Sequence, residues 1–276
     1  MKKKVRAGTI IKWIILWGLL VFQTFPLIQL LFNSFRTTAE IQTFPLGFPK
    51  EFTLQNYPET WEKGGYAQAF LNSILVGAVT IALVLGLIGI AAYALSKLEF
   101  KGKNFFIAYF LMSMSIPTFA YLIPVYFMFN LVGLTNSLVG LIFLYVGRNI
   151  PFNLLLLRTF LLGIPRELEE SAKVDGCTEL TAFFRITLPI AKSIFLTISL
   201  LIFLNTWNEF LFANTFLVSD ATRTVATRFI RFTSEFGTDF AKIFTAGVIT
   251  ISPIVILYLC MQRQFIEGLT SGGVKG

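Results

Sequence analysis

Arg148, Asn149 and Asn153, and further along Asn205, Asn208 and Glu209, are polar side chains set inside long apolar runs. At depth in a bilayer such groups face a bundle interior or a wet cavity, and their default reading is functional. On a helix Asn205, Asn208, Glu209 and Phe212 stand at i, i+3, i+4 and i+7 and share one face. Amides and a carboxylate offer hydrogen-bond partners to a polar solute, and an aromatic ring offers an apolar face. The chemistry is that of binding and passage. The chain has no histidine, which excludes a His-based triad or metal site, and Cys177 and Cys260 are too few and too far apart for a metal motif. Both cysteines are expected reduced and structural. Simpler readings stand beside this one: Arg148 and Glu209 neutralise each other, and Trp207 anchors a helix at the membrane surface.

A second stretch is chemically distinct. ELEESAKVDGCTELTAFFRITLP, residues 167–189, gathers acids in an apolar chain. Pro165 suits a helix start, Glu167, Glu169 and Glu170 suit its positive end, Gly176 is a natural terminator and Thr178 a cap for a second helix. Leu180, Phe183, Phe184, Thr187 and Leu188 then fall on one face of that helix, while Leu168, Ser171 and Ala172 form a mostly small face on the first. Pro189 marks the return towards the membrane. The spacing predicts two short helices about a Gly hinge. An amphipathic helix resting on lipid fits the same pattern.

These residues need elements to hold them. Of 276 residues 55% are apolar and 14% charged, against about 25% charged in soluble domains. Apolar runs of about 20 residues cross a bilayer as helices, and barrel strands would show shorter, alternating segments. The sequence predicts an all-α integral membrane protein with six transmembrane helices at 13–32, 67–95, 105–131, 138–162, 194–218 and 243–261. The first run is too long for a signal peptide's core and no small-residue cleavage site follows it, so it is expected to be retained. With the N-terminus inside, Lys and Arg on the cytoplasmic side outnumber those outside by about two to one, which places both termini in the cytoplasm. The net charge of +8 then sits on the cytoplasmic face, where anionic lipid accounts for it without a nucleic-acid partner. The 167–189 segment lies between spans four and five, on that face. Ala78, Ala82 and Gly86 form a small-residue stripe suited to close helix packing. Pro117, Pro124, Pro151 and Pro253 are positioned to kink their spans.

The segment resembles the EAA loop of ABC importer permeases, patterned E-A-A-x3-G-x9-I-x-L-P. Glu170, Ser171, Ala172, Asp175, Gly176, Ile186, Leu188 and Pro189 carry the match, with Ser171 the departure from the middle Ala. The likeness extends to the carbohydrate-uptake branch, of the maltose-permease type of second membrane subunit. It rests on Ser34-Phe35-Arg36 with Asn56-Tyr57, Leu71-Asn72-Ser73, Ala91-Ala92-Tyr93-Ala94-Leu95, Trp207-Asn208-Glu209-Phe210-Leu211 (where Asp is usual for Glu209), and the ending 268–276. The resemblance implies one permease domain over 1–276, with core 67–262, N-terminal span 13–32, coupling loop 165–190 and C-terminal tail 263–276. It implies a homologous permease partner, two ATPase subunits docked on the coupling loop, an extracytoplasmic solute-binding protein and a sugar substrate, in the cytoplasmic membrane of a bacterium or archaeon. The outer segments 33–65 and 219–239 would receive the binding protein, and the tail is a second candidate for reaching the ATPases. No G-x-x-x-x-G-K-[ST] occurs, so ATP is not held by a P-loop of this chain. The chain needs no cofactor of its own, and ATP hydrolysis falls to the ATPases.

The rivals are weaker. An ABC permease for a non-sugar solute is the alternative. A stand-alone secondary transporter would want paired intramembrane carboxylates, and only Glu209 is present. A channel would need an Arg-rich sensor or a carbonyl filter, and a membrane enzyme a catalytic cluster.

Overall fold

A computed structural model describes residues 7–234 and 238–271, with side chains to Gln262. Of the tail 263–276, the backbone is helical to Ser271 and 272–276 lie outside the described residues. The described secondary structure is helical throughout, as lipid demands of a backbone that must satisfy its own hydrogen bonds. Four helices are long and apolar enough to cross a membrane, Ile10–Asn33, Tyr66–Lys97, Leu138–Leu162 and Phe240–Gln262, and two bent pairs raise the number to six. The described residues fall into two units, one within Met1–Ala67 and Arg228–Pro253, the other within Gln68–Thr227 and Ile254–Gly276.

In the first unit α1 (Ala7–Asn33) leads to two short helices, α2 (Thr38–Thr43) and α3 (Asn56–Lys63). The apolar window of α1 buries nothing within the chain. Beyond it the backbone turns on Arg36, which is 1% exposed. Its guanidinium donates to Asn33 Oδ1 (2.7 Å), Glu40 Oε1 (3.0 Å) and the Phe44 carbonyl (2.6 Å). Asn56 Nδ2 spans the carbonyls of Ser34 and Arg36, both at 2.9 Å, and the Ser34 hydroxyl meets Tyr57 OH at 2.8 Å. The Ser-Phe-Arg and Asn-Tyr pairs noted in the sequence are thus the two halves of one polar knot.

In the second unit α4 (Tyr66–Lys97) is followed by α5 (Lys103–Ser113) and α6 (Thr118–Leu131). The span expected over 105–131 is two helices that meet at 99°, and the break falls at Pro117, one of the prolines positioned to kink its span. Pro117 lacks an N–H and biases Ile116 away from helix, and it becomes the extended cap of α6. Next comes α7 (Leu138–Leu162), with Pro151 inside it. The segment after it folds as α8 (Glu167–Val174), α9 (Glu179–Ala182), a π-turn over Phe183–Thr187 and the single turn α10 (Leu188–Ile190). The expected span 194–218 is also divided: α11 (Lys192–Trp207) stops, and α12 (Leu211–Phe216) starts anew. The short α13 (Arg231–Ser234) belongs to the first unit, and the long α14 (Phe240–Ser271) passes from the first unit to the second after Pro253.

Ile88, Leu141, Leu154, Leu157, Ile194 and Ile198 fill the core between α4, α7 and α11. The stripe Ala78, Ala82 and Gly86 takes no part in this packing. All three are exposed, and a Cβ at Gly86 would meet nothing within 4 Å. Close approach falls instead on Gly77, where a Cβ would stand 3.2 Å from Phe203, and Gly89, 3.3 Å from Phe183.

Candidate functional site: a polar cavity and a two-faced helical segment

A cavity of about 490 Å³ opens between α7 and the α11–α12 break. From α7 it takes Tyr145, Arg148, Asn149, Phe152 and Asn153, one helical face at i, i+3, i+4, i+7 and i+8. From the break it takes Asn205, Asn208 and Glu209. The two amides of α7 back-bond along their helix, Asn149 Nδ2 to the Tyr145 carbonyl (2.8 Å) and Asn153 Nδ2 to the Asn149 carbonyl (2.7 Å). Their oxygens stay free of that ladder. Asn149 Oδ1 lies 3.5 Å from Asn205 Nδ2, and Asn153 Oδ1 is buried without a hydrogen-bond partner in the chain.

Glu209 explains why the helix breaks. Its Oε1 accepts the Phe212 N–H and its Oε2 the Ala213 N–H, both at 3.0 Å, while Oε2 also accepts the Tyr145 hydroxyl at 2.7 Å. In an unbroken helix those two N–H groups would go to backbone carbonyls one turn back. The carboxylate replaces them and caps the start of α12, where negative charge is favoured. On the other side of the break, both the backbone N–H and the side-chain amide of Asn208 end on the Leu204 carbonyl.

The sequence-named residues therefore reach one place, but not by sharing a helix face. Phe212 departs from the expectation of a path-lining ring. It is fully buried, stacked against Tyr121 at 5.7 Å, and is not among the residues that line the cavity. Arg148 does pair with Glu209, at 3.5 Å, with its side chain 38% exposed and its guanidinium 5.4 Å from the Phe212 ring centre. Trp207 is no surface anchor: it is 2% exposed and packs edge-on against Phe70. Tyr145 and Phe152 were missed, although extending the Asn149–Asn153 face by one turn reaches Tyr145.

The second place is the segment after α7. Its Gly hinge is a Schellman close: Gly176 has φ +83°, its N–H reaches the Lys173 carbonyl (3.0 Å), and Cys177 N–H reaches Ala172 (2.9 Å). Thr178 caps α9 by accepting the Thr181 N–H. The π-turn widens the winding, so the α-helical face expected over Leu180–Leu188 is split. Phe183 and Thr187 turn inward and are buried, and Leu180 and Phe184 stay exposed at 59% and 55%. In α8 the inward residues are Glu169 and Ala172, while Leu168, Glu170 and Ser171 face out. Asp175 and Pro189 are exposed, and Ile186 and Leu188 are half-buried.

The inward face is polar as well as packed. Glu169 Oε1 lies 3.4 Å from Lys97 Nζ at the end of α4 and accepts the Thr187 hydroxyl at 3.2 Å. Lys97 Nζ also donates to the Ile164 carbonyl at 2.7 Å. Glu179 takes Lys173 at 2.6 Å and the Tyr93 hydroxyl at 3.1 Å, and the hydrogen bond to Glu179 holds the Lys173 ammonium above its usual pKa. The sequence marked Glu169 only as a dipole-favoured acid and gave no sign of Lys97. No groups of three or more His, Cys, Asp or Glu that could hold a metal occur among the described residues.

The profile of the family described as binding-protein-dependent transport system inner membrane component matches residues 86–270. The probable ABC transporter permease protein YurM of Bacillus subtilis is 34% identical, covering 100% of this chain and 91% of that one. The sulfoquinovosyl glycerol transport system permease protein SmoH of Agrobacterium fabrum is also 34% identical, over 94% and 91%. The arabinooligosaccharides transport system permease protein AraQ of Halalkalibacterium halodurans is 32% identical over the full length of both. A crystal structure of a bacterial ABC transporter that imports the acidic polysaccharide alginate contains a chain of the same fold, with TM-score 0.83, 20% identity, and coverage of 96% and 99%.

Proposed function

The chain belongs to the binding-protein-dependent transport system inner membrane components, multi-pass proteins of the cytoplasmic membrane, and from that membership we propose that it is one membrane subunit of an ATP-driven importer of oligosaccharides or related sugars. In this reading both termini and the segment 165–190 face the cytoplasm. A homologous permease forms the other half of the path, two ATPase subunits engage the segment, and an extracytoplasmic binding protein delivers the sugar. The named substrates of the relatives support the sugar class, as does a cavity whose wall combines four amides and three aromatic rings, Tyr145, Phe152 and Phe210.

The observation that carries the proposal is the two-sidedness of the coupling segment. Its inward face is anchored, while Leu168, Val174, Leu180 and Phe184 are 43%, 88%, 59% and 55% exposed. Bare apolar area of this kind marks a contact surface. Glu170 and Asp175 are exposed with it, and acids at that surface disfavour the anionic lipid that competes for an amphipathic helix. A protein partner suits it better. Closure of the ATPases would pull on Glu170–Pro189 and tilt the spans, switching the cavity between outward and inward access.

The test is to replace Glu170 with Ala, or Gly176 with Val, in the full transporter, and to follow ATPase co-purification and uptake of labelled arabino-oligosaccharides. Loss of both is expected. Normal co-purification with normal uptake would refute the assignment of the segment.

A further inference from the structure

The coupling segment touches its own spans through a charge that nothing in its surface role requires. Lys97 and Glu169 have side-chain exposures of 2% and 7%. Burying two ions is costly, and hydrophobic residues of similar size hold a fold at least as well. What an ion pair adds is a fixed register between the parts it joins. Here the parts are four: the end of α4 through Lys97, the α7–α8 connection through the Ile164 carbonyl, α8 through Glu169, and the π-turn through Thr187. The neighbouring charges differ. Glu99 with Lys103 and Arg166, and Lys173 with Glu179, leave at least one partner well exposed.

The route from this cluster to the cavity is continuous. The π-turn runs into α10 and α11, and α11 ends at Asn205 and Asn208 on the cavity wall. Phe183, inside the π-turn, packs against Tyr93 one turn before Lys97, with ring centres 5.3 Å apart. A load on the outer face of α8 therefore has three ways inward, the backbone, the relay from Lys173 through Glu179 to Tyr93, and the Lys97–Glu169–Thr187 contact. The last joins α8 to α4 with no residue of another helix between them. We infer that Lys97 and Glu169 are positioning residues for coupling: they join the segment to α4, so that its displacement moves the spans and does not merely bend the connections. This rests on the proposed alternating access, which it deepens by naming the linkage.

The experiment uses the assembled transporter in proteoliposomes, with a reporter cysteine at Asn205→Cys and Cys177 and Cys260 replaced by Ser. The readout is the rate of labelling by a membrane-impermeant maleimide, with and without ATP plus vanadate, and needs no sugar. In the otherwise native chain the two rates should differ. Lys97→Met and Glu169→Gln should each bring their ratio about 5-fold or more closer to 1, the lower range of a site-to-site coupling, while ATPase co-purification and basal ATP hydrolysis persist. The exchange Lys97→Glu with Glu169→Lys, or the conservative Lys97→Arg, should restore part of the response. A native ratio retained in both single variants would overturn the linkage and leave alternating access standing. Loss of ATPase co-purification in the single variants, unrelieved by the exchange or by Lys97→Arg, would overturn it in favour of a purely structural pair. A ratio of 1 in the native chain would overturn alternating access itself, and the linkage with it.

Discussion

Glu209 and Arg148 form an ion pair on the wall of the cavity, but the geometry assigns them unequal work, and that inequality is measurable. Glu209 is 8% exposed and accepts the two N–H groups that start α12 together with the Tyr145 hydroxyl, all within 2.7–3.0 Å. Arg148 adds one contact at 3.5 Å from a side chain 38% exposed. In Glu209→Gln the amide NH2 must face either Phe212 N–H or Ala213 N–H, so one buried donor loses its acceptor, at about 1–3 kcal/mol. Glu209→Ala strands both N–H groups, at about 2–6 kcal/mol for the two together. Arg148→Gln removes a part-exposed pair worth ~0–1 kcal/mol. Chains of 150–250 residues lose about 2–4 °C in Tm per kcal/mol. Melting curves of the detergent-purified chain should therefore rank native and R148Q close together, E209Q a few degrees lower and E209A lowest. If R148Q melts as low as E209Q, the site is organised by the charge pair, and the capping argument fails.

Further outcomes follow from single positions. Gly176 sits at φ +83°, so Gly176→Ala should cost about 1–2 kcal/mol and Gly176→Asn less, read from the same melts. A Cβ at Gly140 would collide with the Leu134 carbonyl oxygen, so Gly140→Ala should destabilise by about 1–3 kcal/mol as an overpacked site. Outside the spans, the Lys50 backbone N–H and, against the opposing effect of burial, the Arg36 guanidinium hold the Glu40 carboxyl below its usual pKa. A lowered folded-state pKa contributes stability above the ordinary carboxylate value, and that contribution is lost as pH falls through the lowered one. Tm recorded from neutral pH down to about 3, around the carboxylate range, should fall less steeply in Glu40→Gln than in the native chain.

Most of this was legible where local chemistry decides. Hydropathy found the long helices because length and polarity alone set them. The Gly176 close and the Thr178 cap follow from backbone preferences of single residues. What escaped was decided by competition between side chain and backbone. Periodicity treated 194–218 as one helix, and could not foresee that the Glu209 carboxylate would take the N–H groups of Phe212 and Ala213. It put Phe183 and Phe184 on one face, and could not foresee a π-turn beneath them. Lys97 and Glu169 look like ordinary surface charges in sequence, because their meeting depends on where α4 ends in space.

The π-turn also turns length into information. Each α-helical residue advances the winding by about 100°, and the π-turn accommodates one residue more than an α-helix would over the same rise. Deleting one residue within 183–187 would let the chain close as ordinary helix, with no break and little change in composition. Because that shorter helix turns about as far as the π-turn did, Thr187 would keep its place near Glu169, whereas winding all five residues as α-helix would swing it by about that angle. Substitution at Leu180 or Phe184 alters only what the segment shows to the outside, whereas a one-residue gap outside 183–187 would detune its inner face while leaving every surface residue in the alphabet it had before. Between Gly176 and Pro189 the winding is itself a structural constraint.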